Sequence, residues 1–247
     1  MTLLNTLKTI VFLSIILYFA PFLVENIKNQ YTSLLEPPTH IGVVHITEPI
    51  HSAHYLVSEL HSFFQNPTIK GIVIKIDCLG TAPGTSQTIF HDIRQLKKEY
   101  PKPIISLIEN TCLAGAYLIA SACDYIVAPE SSIIGNIGQS FSDWATQKIP
   151  EEANHSFDAI KNDAYQQLTK QIALSRKLSL STINNWANGK IFTATQAMTL
   201  GLINEIGSLH TVIKIIKEKV LIEGDIEWVQ KKHTCPYQNL IQKIIQS

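Results

Sequence analysis

The stretch that decides the fold is Pro103-Ile-Ile-Ser-Leu-Ile-Glu-Asn-Thr-Cys-Leu-Ala-Gly-Ala-Tyr-Leu-Ile-Ala-Ser-Ala-Cys-Asp-Tyr-Ile-Val-Ala128. Residues 103–108 are apolar and rich in isoleucine, which predicts a strand. Residues 113–122 are mostly small and predict a helix, and residues 125–128 predict the next strand. A strand, a helix and a second strand in this order indicate a right-handed crossover between parallel strands.

The same alternation extends upstream of this stretch and gives way to helices downstream of it. Upstream, the pattern predicts strands over residues 41–46 and 69–77 and helices over 52–64 and 85–98. Downstream, it predicts helices over residues 157–178, 179–187, 195–200 and 209–219, and a last strand over 226–230. The sequence therefore predicts an α/β fold with a mainly parallel sheet and crossover helices.

The overall composition argues against a nucleic-acid-binding protein. The 247 residues include 20 Lys and Arg and 20 Asp and Glu, so the formal net charge is zero. Proteins that bind nucleic acid usually carry a basic excess or a basic stripe. We therefore expect no nucleic-acid partner.

Cysteine and histidine spacing predicts neither a metal site nor a cofactor. The four cysteines form no CxxC pair, and four are too few for a disulfide framework in a chain of this length. His51, His54 and His61 fall on one side of a predicted helix, but no carboxylate or cysteine nearby completes a ligand set. Surface or partly buried histidines are the favoured interpretation, and a metal site is the minor alternative.

The amino-terminal region predicts a membrane anchor. Residues 9–24 form an uncharged, apolar run, which as a helix spans roughly 24 Å against a bilayer core of about 30 Å. Lys8 can extend its ammonium group to the interface. A cleaved signal peptide is the alternative, but Pro21 directly after Tyr-Phe-Ala disfavours cleavage there.

These patterns divide the chain into four parts. Residues 1–25 are predicted as an N-terminal transmembrane helix, and residues 26–39, which end in Glu-Pro-Pro-Thr, as a linker. Residues 40–230 are predicted as the α/β domain. Residues 231–247 are predicted as an amphipathic tail, because apolar residues between 237 and 245 recur at helical spacing.

Four separate motifs resemble motifs of peptidase family S49 and occur along the chain in the same order as in that family. The family includes signal peptide peptidase and protease IV and has the ClpP/crotonase fold. Residues 110–128 resemble its nucleophile segment, Asn-Thr-Ala-Ala-Ser-Gly-Gly-Tyr-Tyr-Ile-Ala followed by Asp-x-Ile-Val-Ala. Residues 132–138 resemble its Thr-Gly-Ser-Ile-Gly stretch. Residues 188–207 resemble its Asp-Gly-Arg-Val-Tyr-Thr-Gly pattern through to Gly-Leu-Val-Asp-Glu-Leu-Gly. Residues 77–80 stand where the family has Asn/Asp-Ser-Pro-Gly-Gly.

This resemblance runs from about His40 to Leu209 and carries functional expectations. Members of the family use a serine with a lysine as its general base to cleave peptides. The resemblance implies peptides or unfolded protein segments as partners, a homo-oligomer or an assembly with an active relative, and no cofactor. It also implies membrane attachment through residues 9–24, with the soluble domain on the exported, periplasmic or extracytoplasmic side.

The sequence departs from the family at the residues that carry the chemistry. Ala114 occupies the position of the nucleophilic serine and has no hydroxyl group. Gly80 and Gly115 match oxyanion-site glycines, but Thr81 replaces the second glycine of the upstream loop. The segment that holds the family's catalytic lysine is shorter here, with Lys148 as the nearest candidate for the base and Lys161 as the second. We therefore expect peptidase activity to be lost or strongly reduced.

Two cysteines flank the altered position and leave alternatives open. Cys78 and Cys112 follow strand ends that the fold would place side by side. They could form a disulfide, supply a substitute thiolate nucleophile, or be two buried thiols, of which the last is favoured.

Three other functions remain open on the sequence. The chain could be an active peptidase with an unrecognised nucleophile such as Cys112, or a non-catalytic peptide-binding or assembly subunit. The third is a crotonase-type acyl-CoA enzyme, which shares the fold. The predicted anchor and the Gly-Leu-Ile-Asn-Glu-Ile-Gly207 motif argue against that third function.

Overall fold

The structure, a computed structural model, describes residues 8, 12–25, 38–47, 50, 52–138, 154–222 and 224–231. The chain divides into two compact units, Met1–Thr39 with Glu223–Glu227, and His40–Ile222 with Trp228–Ser247. The predicted base Lys148, the linker residues 26–37, His51, Cys235 and the tail from residue 232 onward lie outside the described residues.

The described elements alternate between strands and helices through the first half of the larger unit. The strands are β1 (Thr39–Ile46), β2 (Ile69–Cys78), β3 (Ile104–Leu113), β4 (Tyr125–Ala128), β5 (Ile133–Gly135), β6 (Ile191–Thr193), β7 (Glu205–Ile206) and β8 (Ile226–Val229). The helices are α1 (residues 12–25), α2 (His54–Gln65), α3 (Pro83–Glu99), α4 (Gly115–Ser121), α5 (Asn154–Arg176), α6 (Ile183–Trp186), α7 (Ala194–Thr199) and α8 (Leu209–Val220). A 3₁₀ turn, Leu180–Thr182, precedes α6.

The sheet of the larger unit is mainly parallel, as the sequence predicted. Along its main path the strands follow the order β6-β5-β3-β2-β1. β3 is the central strand: its first half pairs with β4 at Ile105–Leu107, and its second half pairs with β5 at Thr111–Leu113, both in parallel. β7 extends β4 in parallel, and β6 is antiparallel to β5. The crossover helices return the chain between the parallel strands.

Helices pack against both faces of this sheet. Neighbouring residues of a strand point to opposite faces, so each strand contacts helices on both sides. Gly42 of β1 lies so close to α2 that an added Cβ would stand 2.7 Å from the Phe63 ring. Gly71 of β2, which is level with Ile41, faces the other side, where an added Cβ would stand 2.9 Å from Ile216 of α8. The core lies between these helices and the sheet.

Arg176, at the end of α5, ties this helix to the segment before β7. Its guanidinium group donates to the Gly201 carbonyl at 3.1 and 3.2 Å and to Asn204 Oδ1 at 2.8 Å. Asn204 Oδ1 also accepts the Ile126 N–H at 2.9 Å. The Gly-Leu-Ile-Asn-Glu-Ile-Gly207 motif therefore fastens β4, β7 and α5 to one another.

The predicted and observed elements differ most where pairing partners are distant in the chain. β3 continues to Leu113, beyond the predicted end at residue 108, because its polar second half pairs with β5. The sequence did not predict β5, β6 or β7, which have two or three residues each and show no periodicity.

The predicted membrane helix is described only in part. Residue 8 and residues 12–25 are helical, and the large apolar side chains among residues 12–24 are exposed. Among the described residues, no helix has both the length and the apolar character needed to cross a membrane. The transmembrane helix therefore stays a prediction.

Candidate active site

The site lies where the carboxyl ends of β2 and β3 meet, which is where ligands bind in open α/β sheets. Cys78 and Cys112 are register partners across these two strands. The Asp77 carboxylate holds the two strand ends together, since it accepts hydrogen bonds from Asn110 Nδ2 (2.7 Å), Thr111 Oγ1 (2.8 Å) and the Thr111 N–H (3.1 Å). The hydrogen bonds from Asn110 and Thr111 lower the pKa of Asp77.

Ala114 forms a strained turn between β3 and α4. Its φ of 53° and ψ of −119° are unusual for a residue with a side chain. The turn is held on both sides: the Ala114 N–H donates to the Gly135 carbonyl at 2.8 Å, and the Ala114 carbonyl accepts the Tyr117 and Leu118 N–H groups at 3.1 and 3.2 Å. Such a strand-to-helix turn presents a nucleophilic serine in α/β-hydrolases, but this residue ends in a methyl group and is fully buried.

Gly115 lies directly under the loop that follows β2. A Cβ on Gly115 would collide with Thr81 Oγ1 and would stand 2.8 Å from Ser86 Oγ. Gly80, with φ of 155°, turns the chain so that Thr81 reaches this position. The structure thus brings Gly80, Thr81, Ala114 and Gly115 together, the group that the family resemblance singled out.

A small, mainly apolar cleft with a volume of about 40 Å³ opens beside Thr81 and Gly115. α5 forms its other wall. At Gly138, φ is +100° and an added Cβ would collide with the Tyr165 ring, so the chain and this ring are in close contact. The lining residues are Thr81, Pro83, Ser86, Gln87, Gly115, Leu118, Gly138, Ala164, Tyr165 and Leu168.

The hydroxyl groups in this cleft differ in their hydrogen bonding. Ser86 Oγ donates to the Pro83 carbonyl at 2.9 Å, and Tyr165 Oη donates to the Ala187 carbonyl at 2.6 Å. Thr81 Oγ1 is buried and, among the described residues, has no hydrogen-bond partner. Ser86 and Tyr165 were not predicted as site residues. The position of Ser86 in the first turn of α3, shortly after Thr81, was a usable signal, whereas nothing in the local sequence places Tyr165 here.

The two cysteines at the site are thiols and are not joined by a disulfide. Burial raises the pKa of both Cys78 and Cys112, and the Cys112 thiol is fully enclosed. Cys78 Sγ donates to the Gly80 carbonyl at 3.1 Å. A buried thiol with a raised pKa is a poor source of thiolate.

The structure places no lysine of the described residues in the cleft. Lys161 lies on α5, the helix that carries Tyr165, but it is not among the residues that line the cleft. Within the described part of the chain, no three His, Cys, Asp or Glu side chains lie close enough to share a metal ion.

Comparisons with known proteins agree with this geometry. A Methanocaldococcus jannaschii protein named as a candidate protease is 23% identical over 192 residues, which are 67% of this chain and 61% of that protein. The chloroplastic serine protease SPPA of Arabidopsis thaliana is 26% identical over 198 residues, 69% of this chain and 29% of that protein. Protease 4 of Haemophilus influenzae is 24% identical over 179 residues, 62% of this chain and 29% of that protein. The chain thus spans less than two thirds of the length of each of these relatives.

A solved structure and a family profile also match this chain. A ClpP1 point mutant from Listeria monocytogenes superposes with a TM-score of 0.50 at 14% identity, over 67% of this chain and 91% of that structure. This likeness shows a ClpP-like fold. The profile of peptidase family S49 matches residues 96–149 and 140–223. The matched residues contain the strained turn at Ala114 and the segment fastened by Arg176, and the chain belongs to peptidase family S49.

Proposed function

We propose that this chain is a membrane-anchored S49 homologue that binds peptides or unfolded protein segments and does not hydrolyse them. The observation that carries the proposal is Ala114, which occupies the strained turn after β3 and is fully buried. The backbone conformation of a nucleophile turn is retained there without a nucleophilic atom. Loss of the nucleophile lowers turnover by roughly a millionfold in a well-studied serine protease.

The environment of the neighbouring thiols supports the non-hydrolytic proposal. A substitute cysteine nucleophile would need a lowered pKa and access to substrate. Burial instead raises the pKa of Cys78 and Cys112, and Cys112 is fully enclosed. The alternative of a cysteine peptidase therefore has no observation in its favour.

The apolar surface of α1 supports the proposed anchor. Leu17 and Tyr18 are 79% and 80% exposed, and the apolar side chains of α1 point in all directions. A helix that is apolar all round is suited to lipid or to another apolar partner. We propose that residues 9–24 attach the chain to a membrane, with the larger unit on the exported side. We also propose that the chain assembles with further copies of itself or with an active relative.

Hydrolysis of unstructured casein by the 247-residue chain in mild detergent tests the central proposal. The unmodified chain and its Ala114→Ser, Cys112→Ala and Ala116→Ser variants are compared. Ala116→Ser is the matched control, because it adds a hydroxyl two residues away at an equally buried position. We expect no cleavage by the unmodified chain or by the control.

The outcomes separate the candidate functions. Cleavage by the unmodified chain refutes the proposal, and its loss in Cys112→Ala would assign the chemistry to that thiol. Cleavage by Ala114→Ser alone would mean that the missing hydroxyl is the sole block. Binding of labelled casein without cleavage supports the proposal, whereas absence of both binding and cleavage refutes the peptide-binding part.

Alkaline carbonate extraction of membranes from expressing cells tests the anchor. We expect the chain to stay in the membrane pellet. Release of the chain into the supernatant would contradict attachment through an inserted helix.

A further inference from the structure

The Thr81 hydroxyl is an unusual buried group. Thr81 is 6% exposed, and its Oγ1 atom has no hydrogen-bond partner among the residues that the structure describes. Removing a hydroxyl from water without supplying a partner costs free energy, so nearly all buried hydroxyls in native proteins are paired. An unpaired one beside a candidate site therefore needs an explanation.

Within the described part of the chain, the Thr81 side chain is held by packing contacts and not by a hydrogen bond. Its Oγ1 lies against Gly115, where a Cβ would collide with it. The nearby hydroxyl of Ser86 is engaged with the Pro83 carbonyl at 2.9 Å and does not pair with Thr81. No hydrogen bond of the Thr81 side chain would have to break if that side chain rotated to another staggered conformation.

The cleft next to Thr81 is too small for a peptide in its present form. Its volume is about 40 Å³, whereas sites that enclose organic ligands usually measure several hundred Å³. The Thr81 side chain fills the space between the loop after β2 and Gly115, directly beside the turn at Ala114. Thr81 and Gly115 both line the cleft, so this side chain takes up space that a ligand in the cleft would otherwise have.

We propose that Thr81 is a second block at this site, independent of the missing hydroxyl at Ala114, because its side chain occludes the volume beside Gly115 that a bound peptide needs. The ligand class is an extended peptide with a small apolar side chain, which matches the apolar lining by Leu118, Ala164 and Leu168. The inference rests on the proposed peptide-binding function. Rotation of Thr81 opens the cleft, and the cost of that rotation weakens the apparent affinity.

Fluorescence anisotropy with a fluorescein-labelled octapeptide of alanine and leucine tests the inference on the full 247-residue chain. The comparison includes the unmodified chain, Thr81→Ala, Thr81→Val and the control Thr88→Ala, which alters a threonine on the exposed side of α3. Thr81→Ala removes the occluding atoms, and we expect about tenfold tighter binding. Thr81→Val keeps the volume of threonine, so we expect its affinity to stay within about twofold of the unmodified chain.

Each outcome decides the inference. Thr81→Ala binding no tighter than the unmodified chain overturns it. Weaker binding by Thr81→Val also overturns it, because the hydroxyl would then contact the peptide. If Thr81→Ala binds and the unmodified chain does not, the occlusion is supported while the proposed peptide-binding function fails. If neither binds, both fail.

Discussion

Replacing Thr81 with valine is expected to stabilise the protein. The change removes a buried hydroxyl that has no partner and puts a methyl group of similar size in contact with Gly115. Burying an unpaired hydroxyl costs about 1–3 kcal/mol, and a buried methyl group contributes about 0.8 kcal/mol. Because the valine must also fit a space shaped for threonine, we expect a net gain of about 1–2 kcal/mol in the free energy of unfolding.

Thermal unfolding followed by circular dichroism measures this gain. In a domain of this size, 1 kcal/mol corresponds to about 2–4 °C in Tm. The matched control is Thr88→Val, since the Thr88 hydroxyl is exposed and donates to the Gly84 carbonyl at 2.9 Å. We expect the control to change the free energy of unfolding by no more than about 0.5 kcal/mol. A Thr81→Val variant that is destabilised by about 1 kcal/mol would refute the reasoning, because the hydroxyl would then have a stabilising partner in solution.

Three further predictions concern the framework of the site. Tyr117→Phe removes a fully buried 2.6 Å hydrogen bond to the Leu202 carbonyl and should cost about 1–3 kcal/mol in urea unfolding; an unchanged midpoint would contradict this. Gly138→Ala, at φ +100° and against the Tyr165 ring, should lower stability by about 1–3 kcal/mol, and a wild-type Tm would show that the contact yields without cost. The pKa of Asp77 is lowered from 3.8 in the folded state by hydrogen bonds from β3, so its contribution is present above pH 3.8 and is lost as the pH falls through the folded pKa. In the Asp77→Asn variant, the free energy of unfolding should fall less steeply as the pH is lowered. Identical pH profiles of stability for the unmodified chain and this variant would exclude a contribution from the Asp77 carboxylate.

The strained conformation of Ala114 is held by its backbone and not by its side chain. A non-glycine residue at such φ and ψ angles costs about 1–3 kcal/mol and is kept only when its surroundings determine it. Here the Gly135 carbonyl fixes the Ala114 N–H, and the first turn of α4 fixes the Ala114 carbonyl. The turn is therefore part of the fold and does not depend on a hydroxyl group at residue 114.

The sequence alone determined the order of the main elements. Apolar runs over residues 41–46, 69–77 and 103–108 predicted strands that the structure contains as β1, β2 and β3. These elements follow from local patterning, because each buries its own apolar residues. Motif resemblance within residues 110–128 predicted Ala114 and Gly115 as site residues without any tertiary information.

The tertiary structure decided the features that depend on contacts between distant segments. β5 pairs with the second half of β3 and with β6, and these three-residue strands exist only because their partners are present. Tyr165 reaches the cleft because α5 returns across the end of the sheet, which no local pattern encodes. Whether the Thr81 hydroxyl finds a partner depends on every group that packs around it, so its unpaired state could not be read from the loop sequence. Local sequence specifies periodicity and residue chemistry, whereas burial, backbone strain and hydrogen-bond pairing are properties of the assembled chain.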